Sequence, residues 1–305
     1  MVMRKIPNTE IEVSAVCFGT MNFGVPVGRE EAAELINHAF DKGINFIDTA
    51  NMYEGYARYA GSHGGVAEQI IADAVKGKRH DFILATKFGM KVGEAPEDEG
   101  CSPAALEKQL DRSLKYLGTD YIDVYYAHKF DPAVPASELC AAMKRAMDAG
   151  KIRCWAVSNY NGAQLCELLG AADANSLPRP VLYQPPLSLL KQDALTDGVA
   201  ICQRENIGVV PYQILQGGLL SGKYRRGERP PKGSRAGDSQ WLELDDKTFD
   251  ELEAIGDKAE EENLTLLEYA TRWVMTRPAV VSALVGFRSK GHIDQAAAIA
   301  AALCG

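Results

Sequence analysis

The fold is decided by residues 46–53, which read FIDTANMY, beginning as an apolar strand and ending in polar side chains. The carboxylate Asp48 falls at the end of the strand, and the phenol Tyr53 follows within the next few residues. An acid and a potential proton donor at the carboxyl end of a strand are typical of the active sites of α/β enzymes. The structural alternative is that Asp48 caps the next turn and Tyr53 is a rim aromatic.

The composition indicates a chain with a sizeable core and no polyanionic partner. The 305 residues are 46% hydrophobic and 24% charged, which suits one large α/β domain or two smaller ones. The net charge of −8 argues against binding to nucleic acid or to an anionic membrane. No apolar run reaches membrane-spanning length and no signal peptide is recognisable, so we expect a cytoplasmic protein.

The cysteines and histidines lack the spacing of a metal site. The seven cysteines are scattered without a C-x-x-C pair, which predicts reduced and mostly buried thiols. The five histidines show no metal-ligand spacing with cysteine or with each other. We therefore expect no metal.

Short apolar runs alternate with helical runs along almost the whole chain. A hairpin is predicted over 4–13, followed by candidate strands at 15–18, 45–48, 82–86, 121–127, 152–157, 181–184, 207–211 and 280–285. The candidate helices span 29–42, 66–77, 103–116, 136–149, 161–171, 193–205, 246–262, 265–276 and 292–303. Strands without polar alternation are typical of a sheet buried on both faces. The pattern predicts a (β/α)8 TIM barrel with an N-terminal β-hairpin, in one domain covering residues 1–305.

Functional side chains follow three successive strands. Lys87 comes at the end of an apolar strand, where an unpaired ammonium is costly, so Asp48 on the neighbouring strand is its natural partner. His128 ends the next strand. A lone histidine is more often structural, but in a barrel Asp48, Tyr53, Lys87 and His128 would converge at one mouth. Together they predict an active site there.

The later strands end in groups suited to an extended cofactor. Side chains that can pair with an amide follow the fifth and sixth strands, at Ser158-Asn159 and Gln184, and Tyr212 after the seventh can stack on a flat ring. The glycines of 216–224 let the backbone approach a pyrophosphate, and the helix start at 286–292 can bind a phosphate. No G-x-G-x-x-G follows the first strand, so a Rossmann site is not predicted.

Two irregular segments, 54–65 and 225–241, are predicted to overhang the barrel mouth because both follow the carboxyl ends of strands. Loops of this length in a compact domain more often serve a site than merely cover a surface. We therefore expect two lids, with a pair of solvated surface loops as the alternative.

These motifs resemble those of the aldo-keto reductase family over nearly the whole chain. The matching elements are the hairpin with Gly19-Thr20-Met21, Asp48-Thr49-Ala50 with Tyr53, Thr86-Lys87, His128 with Asp131-Pro132, Gly150 to Arg153 leading into Val157-Ser158-Asn159, Gln184, Leu219 to Tyr224, and the Gly286 region. The resemblance implies a (β/α)8 barrel that binds NADPH in an extended form without a Rossmann domain. It also implies reversible reduction of a small-molecule carbonyl substrate.

The resemblance gives a role to each group at the predicted mouth. Tyr53 would donate a proton to the carbonyl oxygen, and Lys87 would lower its pKa from the ordinary value of about 10. Asp48 would neutralise Lys87, and neutral His128 would orient the carbonyl. The cofactor residues implied in the same way are Gly19, Thr20, Met21, Asp48, Ser158, Asn159, Gln184, Tyr212, Leu215, Gly217, Leu219, Lys223, Gly286, Arg288, Ser289 and Gln295.

The sequence departs from the family pattern in the cofactor region. Gln213 and Ile214 replace the usual small polar residue and proline, and Gln295-Ala296 replaces the usual Glu-Asn. The second change bears on the adenine contacts. Arg288 still favours NADPH over NADH because a guanidinium binds a 2′-phosphate well.

Two other functions remain open. A barrel-strand lysine such as Lys87 could form a Schiff base in a lyase, as in class I aldolases. A cofactor-sensing binding protein, similar to the reductase-like β subunits of potassium channels, is the other alternative, although the four intact catalytic positions favour turnover. The substrate is expected to be hydroxylated or sugar-like because polar residues occupy the loops: Tyr56, Arg58, His63 and Lys129. No pattern indicates the oligomeric state.

Overall fold

The computed structural model describes residues 1–238, 242 and 244–304, and its chain starts with an antiparallel hairpin outside the main sheet. The hairpin strands are β1 (Met3–Lys5) and β2 (Glu12–Ser14). Eight strands in the described part of the chain form the main sheet: β3 (Val16–Gly19), β4 (Phe46–Asp48), β5 (Ile83–Phe88), β6 (Ile122–Ala127), β7 (Ile152–Ser158), β8 (Leu182–Gln184), β9 (Gly208–Val209) and β10 (Ala283–Gly286). Neighbouring strands within this sheet are parallel.

The main sheet closes into a barrel. Its strand order is β10-β3-β4-β5-β6-β7-β8-β9. Backbone hydrogen bonds join β9 and the residues after it to β10 and the residues before it. The N–H of Val209 donates to the carbonyl of Ala279 at 2.7 Å, the N–H of Val281 donates to the carbonyl of Val209 at 2.9 Å, and the N–H of Leu284 donates to the carbonyl of Pro211 at 3.0 Å. The predicted (β/α)8 barrel with an N-terminal hairpin is confirmed.

Helices surround the sheet and pack an apolar side against it. They are α1 (Arg29–Asp41), α2 (Val66–Ala74), α3 (Pro103–Leu117), α4 (Ala136–Asp148), α5 (Gly162–Ala174), α6 (Asp193–Thr196), α7 (Gly198–Arg204), α8 (Arg235–Asp238), α9 (Asp246–Glu261), α10 (Leu266–Met275) and α11 (Lys290–Ala301). Short 3₁₀ turns lie at Gly55–Ala57, Arg79–Asp81, Pro96–Asp98, Gln216–Ser221 and Ala302–Cys304. Among the helices of the described residues, none has the length and apolar character needed to cross a membrane.

The segment predicted as one helix over 193–205 is two short helices, α6 and α7. Asp197 between them has a non-helical backbone, with φ −108° and ψ −105°. Its carboxylate accepts a hydrogen bond from the N–H of Gly162, at the start of α5, at 2.8 Å. This contact with a neighbouring helix interrupts the predicted one.

Two further predicted segments also differ from the structure. The strand expected over 207–211 is reduced to the two residues of β9, and Pro211, which has no N–H donor, follows closely. The irregular segment 225–241 contains the short helix α8, and its positions 239–241 lie outside the described residues. The position of β9 along the chain was predicted and its length was not, whereas α8 was not predicted.

Apolar side chains fill the barrel and close the end at which its strands begin. Phe46 and Val124 are fully buried in the interior cluster. Ile6, Ile11 and Val13 of the hairpin segment belong to the same cluster, so the hairpin seals this end. Polar groups for chemistry are left to the opposite end, where the parallel strands terminate.

A buried carboxylate near the start of β6 connects the strands that carry the candidate site through hydrogen bonds. Asp123 accepts hydrogen bonds from Arg79 at 2.8 Å, from the backbone N–H of Leu84 at 2.9 Å and from Arg153 at 2.7 Å. Its side chain is 1% exposed. These contacts connect β5, β6 and β7, which lead to Lys87, His128 and Ser158.

We predict that Asp123→Ala lowers the free energy of unfolding by about 3 kcal/mol, because it leaves the guanidinium of Arg79 partly buried without its carboxylate. Urea denaturation measures the loss. Asp120→Ala, an exposed acid three residues away, is the control and should change stability by less than about 0.5 kcal/mol. Equal effects of the two substitutions would show that the buried cluster does not stabilise the barrel.

Candidate active site

The ammonium group of Lys87 is fully buried at the carboxyl end of the barrel. It contacts Asp48 Oδ1 in a short ion pair, and it donates hydrogen bonds to the carbonyl of Thr49 at 2.7 Å and to the Tyr53 hydroxyl at 3.3 Å. Its side chain is 0% exposed. Since a lysine has three N–H donors, these contacts satisfy all of them.

The charge state of this pair follows from its surroundings. Burial acts to lower the pKa of Lys87, but Asp48 and Tyr53 oppose it strongly enough that the pKa is raised, so the amine is protonated. Burial raises the pKa of Asp48 despite the opposing effects of Lys87 and Gln184. The second carboxylate oxygen accepts a hydrogen bond from Gln184 Nε2 at 2.9 Å. Asp48 is therefore bonded through both oxygens.

Tyr53 lies against this ion pair. Its ring centroid is 4.8 Å from the Lys87 ammonium. The sequence analysis expected Lys87 to lower the pKa of the phenol. The ammonium does act in that direction, but the expected lower pKa is wrong once all effects on Tyr53 are added. Burial and the charge of Asp48 outweigh the ammonium, so the pKa of Tyr53 is raised. The phenol is thus protonated at neutral pH, as a proton donor must be.

His128 lies beside Tyr53 as a neutral base. The two ring centroids are 5.9 Å apart in an edge-to-face arrangement. Burial, together with the cations Lys87 and Lys129, holds the pKa of His128 well below its usual range. Within the described residues its Nδ1 is buried and has no hydrogen-bond partner. A neutral imidazole can offer either a donor or an acceptor to a bound molecule.

The groups predicted to bind nicotinamide are brought together. The Asn159 amide donates to the backbone carbonyl of His128 at 2.8 Å and accepts from the Tyr212 hydroxyl at 2.7 Å. The Ser158 hydroxyl donates to the backbone carbonyl of Gln184 at 2.8 Å. The Gln184 side chain, by contrast, donates to Asp48. It supports the ion pair, a contact that the sequence analysis did not predict.

The glycine segment after Tyr212 requires its small residues. Gly217 and Gly218 have φ of 67° and 99°, which L side chains rarely adopt. A Cβ on Gly218 would lie 2.7 Å from the Lys223 ammonium. Leu215 and Leu219 flank the two glycines. The backbone is therefore open, with one cation beside it, as a pyrophosphate path requires.

The phosphate end predicted after β10 gathers three basic side chains. Ser289 caps α11 by accepting a hydrogen bond from the N–H of His292 at 3.3 Å. Burial, then the charges of Lys223 and Arg288, lower the pKa of His292, so both cations lie within electrostatic range of this imidazole. Gln295 is exposed farther along α11. Together with the helix N-terminus, the cations favour an anion.

The residues predicted after β3 have different surroundings. Thr20 is buried, and its hydroxyl donates to the backbone carbonyl of Asp48 at 3.0 Å. Met21 is 41% exposed. A Cβ on Gly19 would lie 2.6 Å from Leu284 Cδ2, so this glycine allows β3 and β10 to approach closely. Asn22, which the sequence analysis did not single out, is buried with its Oδ1 unpartnered among the described residues, and its Nδ2 lies 3.3 Å from the Cβ position of Gly286.

Two of the loop residues predicted to contact substrate already have partners within the chain. Arg58 donates to the carbonyl of Met52 at 2.8 Å and also contacts the carbonyl of Lys91. Lys129 forms an ion pair with Glu99 at 2.8 Å. His63 is exposed. In the described part of the chain, no group of three or more His, Cys, Asp or Glu side chains could hold a metal ion.

Comparison with known proteins assigns the chain to a family. The model of the aldo/keto reductase family matches residues 15–303. The chain belongs to this family. Membership makes it an oxidoreductase of the carbonyl-reducing type, as the resemblance implied.

The relatives share nearly the full length of the chain. The aldo-keto reductase YhdN of Bacillus subtilis is 31% identical, over 96% of this chain and 87% of its own. A probable voltage-gated potassium channel subunit beta of Arabidopsis thaliana is 28% identical, over 97% of this chain and 90% of its own. The solved structure of the glycerol dehydrogenase AKR11B4 from Gluconobacter oxydans has a TM-score of 0.80 and 27% identity, over 97% of this chain and 89% of that one.

The depressed pKa of His128 makes a prediction about stability at acid pH. In an unfolded chain a histidine titrates near pH 6.5. Below that pH the unfolded state binds a proton that the folded state excludes. The free energy of unfolding therefore decreases as the pH is lowered, by up to about 1.4 kcal/mol per pH unit, until the folded-state pKa is reached. His128→Gln should remove this contribution and reduce the stability difference between pH 7.5 and pH 5.5 in urea denaturation. The control His63→Gln should leave that difference unchanged, and an unchanged difference in His128→Gln would contradict the prediction.

Proposed function

We propose that this protein is an NADPH-dependent reductase of aldehydes or ketones, with the reverse oxidation of the alcohol as its other direction. The observation that carries the proposal is the Tyr53 hydroxyl, 3.3 Å from a buried ammonium that is itself paired with Asp48. A phenol supported in this way can lose and regain a proton next to a substrate oxygen. Family membership supports the same reaction class.

The proton transfer follows from the charges around Tyr53. The raised pKa keeps the phenol protonated before the reaction, so that it can donate its proton to the carbonyl oxygen. The resulting phenolate would lie next to the Lys87 ammonium, which stabilises it once it is formed. Asp48 keeps Lys87 charged and in place. Neutral His128, 5.9 Å from the Tyr53 ring, would orient the carbonyl without competing as an acid.

The residues present fit a phosphate-bearing nicotinamide cofactor. His128 Nδ1 and Asn22 Oδ1 are buried polar atoms without partners among the described residues. Lys223 and Arg288 supply positive charge near the N-terminus of α11, beside the neutral imidazole of His292. Ser158, Asn159 and Tyr212 would contact the nicotinamide, and the segment 215–223 the pyrophosphate. When bound, the nicotinamide would supply the hydride to the carbonyl carbon, and Tyr53 would supply the proton to the carbonyl oxygen.

Two features bear on the substrate, which we propose to be a small hydroxylated carbonyl compound. The similarity to a glycerol dehydrogenase supports this class. The internal partners of Arg58 and Lys129 leave fewer polar groups free to bind hydroxyls than the sequence suggested. Comparing glyceraldehyde with propanal at equal concentration tests the class, and a higher kcat/KM for propanal would count against it.

The contacts of Lys87 argue against the lyase alternative. A Schiff base needs a neutral, accessible amine, whereas this amine is fully buried, protonated and bonded through its three donors.

The similarity to channel β subunits keeps the cofactor-sensing alternative relevant. Tight NADPH binding without reduction of any carbonyl compound would favour that alternative.

We expect Tyr53→Phe to lower kcat for carbonyl reduction by about 10²- to 10⁴-fold, since general acid catalysis contributes an effect of this size. The Kd for NADPH should change by less than about threefold, because the substitution keeps the ring and removes only the hydroxyl group, which contacts Lys87 and is assigned to the substrate oxygen. Steady-state kinetics and a fluorescence titration measure the two quantities. Tyr59→Phe makes the same chemical change on the exposed loop and should leave kcat unaffected. Full activity in Tyr53→Phe would remove this residue as the acid.

Cofactor preference is tested through Arg288. The wild-type protein should bind NADPH more tightly than NADH, and Arg288→Met should weaken NADPH binding by about 10- to 100-fold, with NADH affected less than about threefold, because one charge-assisted contact to a phosphate is lost. Lys290→Met removes the same charge two residues away, where the ammonium pairs with Glu34, and serves as the control. Equal wild-type affinities for NADPH and NADH would contradict the assignment of Arg288.

A further inference from the structure

Arg288 does not extend freely into solvent but is bonded to both of the segments predicted to be lids. One guanidinium nitrogen donates to the backbone carbonyl of Gly233 at 3.0 Å, within the segment 225–241. Another donates to the hydroxyl of Tyr56, within the segment 54–65. The guanidinium carbon also lies 5.4 Å from the centroid of the Tyr56 ring. The predicted cofactor arginine is therefore fixed from two sides.

The backbone that presents Tyr56 is itself fixed. The N–H of Tyr56 donates to the carbonyl of Val25 at 2.8 Å. Gly55 before it has φ of 62°, and a Cβ at that position would lie 2.0 Å from the same carbonyl oxygen. Only glycine allows this approach. The close packing of Gly55 and Tyr56 against Val25 therefore sets the direction of the Tyr56 side chain, which is 44% exposed.

We propose that Tyr56 is a positioning residue that holds Arg288 ready for the 2′-phosphate of NADPH and thereby sets the preference for NADPH over NADH. This inference rests on the proposed function, which assigns the 2′-phosphate to Arg288. No residue of the loop 54–65 was predicted to act on the cofactor, and Tyr56 itself was expected to contact substrate. The contacts described above place it at the phosphate end instead.

The physical reason is the flexibility of arginine. A free arginine loses considerable side-chain entropy when it is fixed on a ligand. The stacked ring and the hydroxyl of Tyr56 restrict Arg288 before the ligand arrives, which reduces the cost of binding. The described contacts with Gly233 and Tyr56 use two of the five N–H donors, so three remain for a phosphate. The effect should concern only ligands that carry the phosphate.

The test is a double-substitution cycle with cofactor affinity as its readout. Kd values for NADPH and NADH are measured by fluorescence titration for the wild type, Tyr56→Phe, Arg288→Met and the double variant. Tyr56→Phe should raise the Kd for NADPH by about 5- to 20-fold and that for NADH by less than twofold. In the Arg288→Met background, Tyr56→Phe should change the NADPH Kd by less than twofold, because Tyr56 acts through Arg288.

Controls separate this mechanism from a general effect on the loop. Tyr59→Phe, the same change at a residue of this loop that is 69% exposed, should leave both Kd values within twofold. Tyr56→Ala, which also removes the ring, should weaken NADPH binding more than Tyr56→Phe does.

The outcomes distinguish this inference from the proposed function. A wild-type protein that binds neither cofactor overturns both. A wild type that prefers NADPH and reduces carbonyl compounds, together with an unchanged NADPH Kd in Tyr56→Phe, overturns only the role of Tyr56. Equal weakening of NADPH and NADH, or a full effect of Tyr56→Phe in the Arg288→Met background, also overturns it, because either result would mean that Tyr56 acts independently of Arg288.

Discussion

The burial of one ammonium group governs the arrangement of the barrel mouth. A charged lysine inside a protein is tolerated only when its charge is paired and its donors are satisfied. Lys87 meets both conditions through Asp48, the carbonyl of Thr49 and the hydroxyl of Tyr53. The same three contacts fix the end of β4, the turn after it and the phenol. The requirement that makes Lys87 stable is thus the requirement that fixes the Tyr53 hydroxyl beside it.

This ion pair is extended into the opposite wall of the barrel. Gln184, at the end of β8, donates to the second oxygen of Asp48, while its backbone carbonyl accepts from Ser158 at the end of β7. Asn159 then connects to Tyr212 beyond β9. A chain of hydrogen bonds therefore leads from the Tyr53 hydroxyl, through Lys87 and Asp48, to Tyr212. A change at one end of this chain alters the geometry at the other.

The fold and the convergence of polar side chains at one end of the barrel were predictable because both depend on order along the chain. Asp48, Lys87 and His128 follow successive strands, and parallel strands bring such positions to one edge whatever the details of packing. The direction of the pKa shift of Tyr53 was not predictable, since burial had to be weighed against one nearby charge. The interruption of the helix at Asp197 and the contact between Tyr56 and Arg288 both depend on loops that meet across long separations in sequence. Local patterns carry no information about such meetings.

The brevity of β9 gives the barrel a seam. β6 and β7 are aligned over five residue pairs, whereas β9 holds two residues. In the described part of the chain, Val209 and Pro211 are joined to the segment 279–284 by three backbone hydrogen bonds. Regions with few backbone pairings open locally at a lower free energy than the core. Local opening of the barrel should therefore begin between β9 and β10. The segments around Tyr212 and Arg288 follow these two strands. The side of the mouth that carries Tyr212 and Arg288 can then widen while the wall that carries Lys87 stays closed.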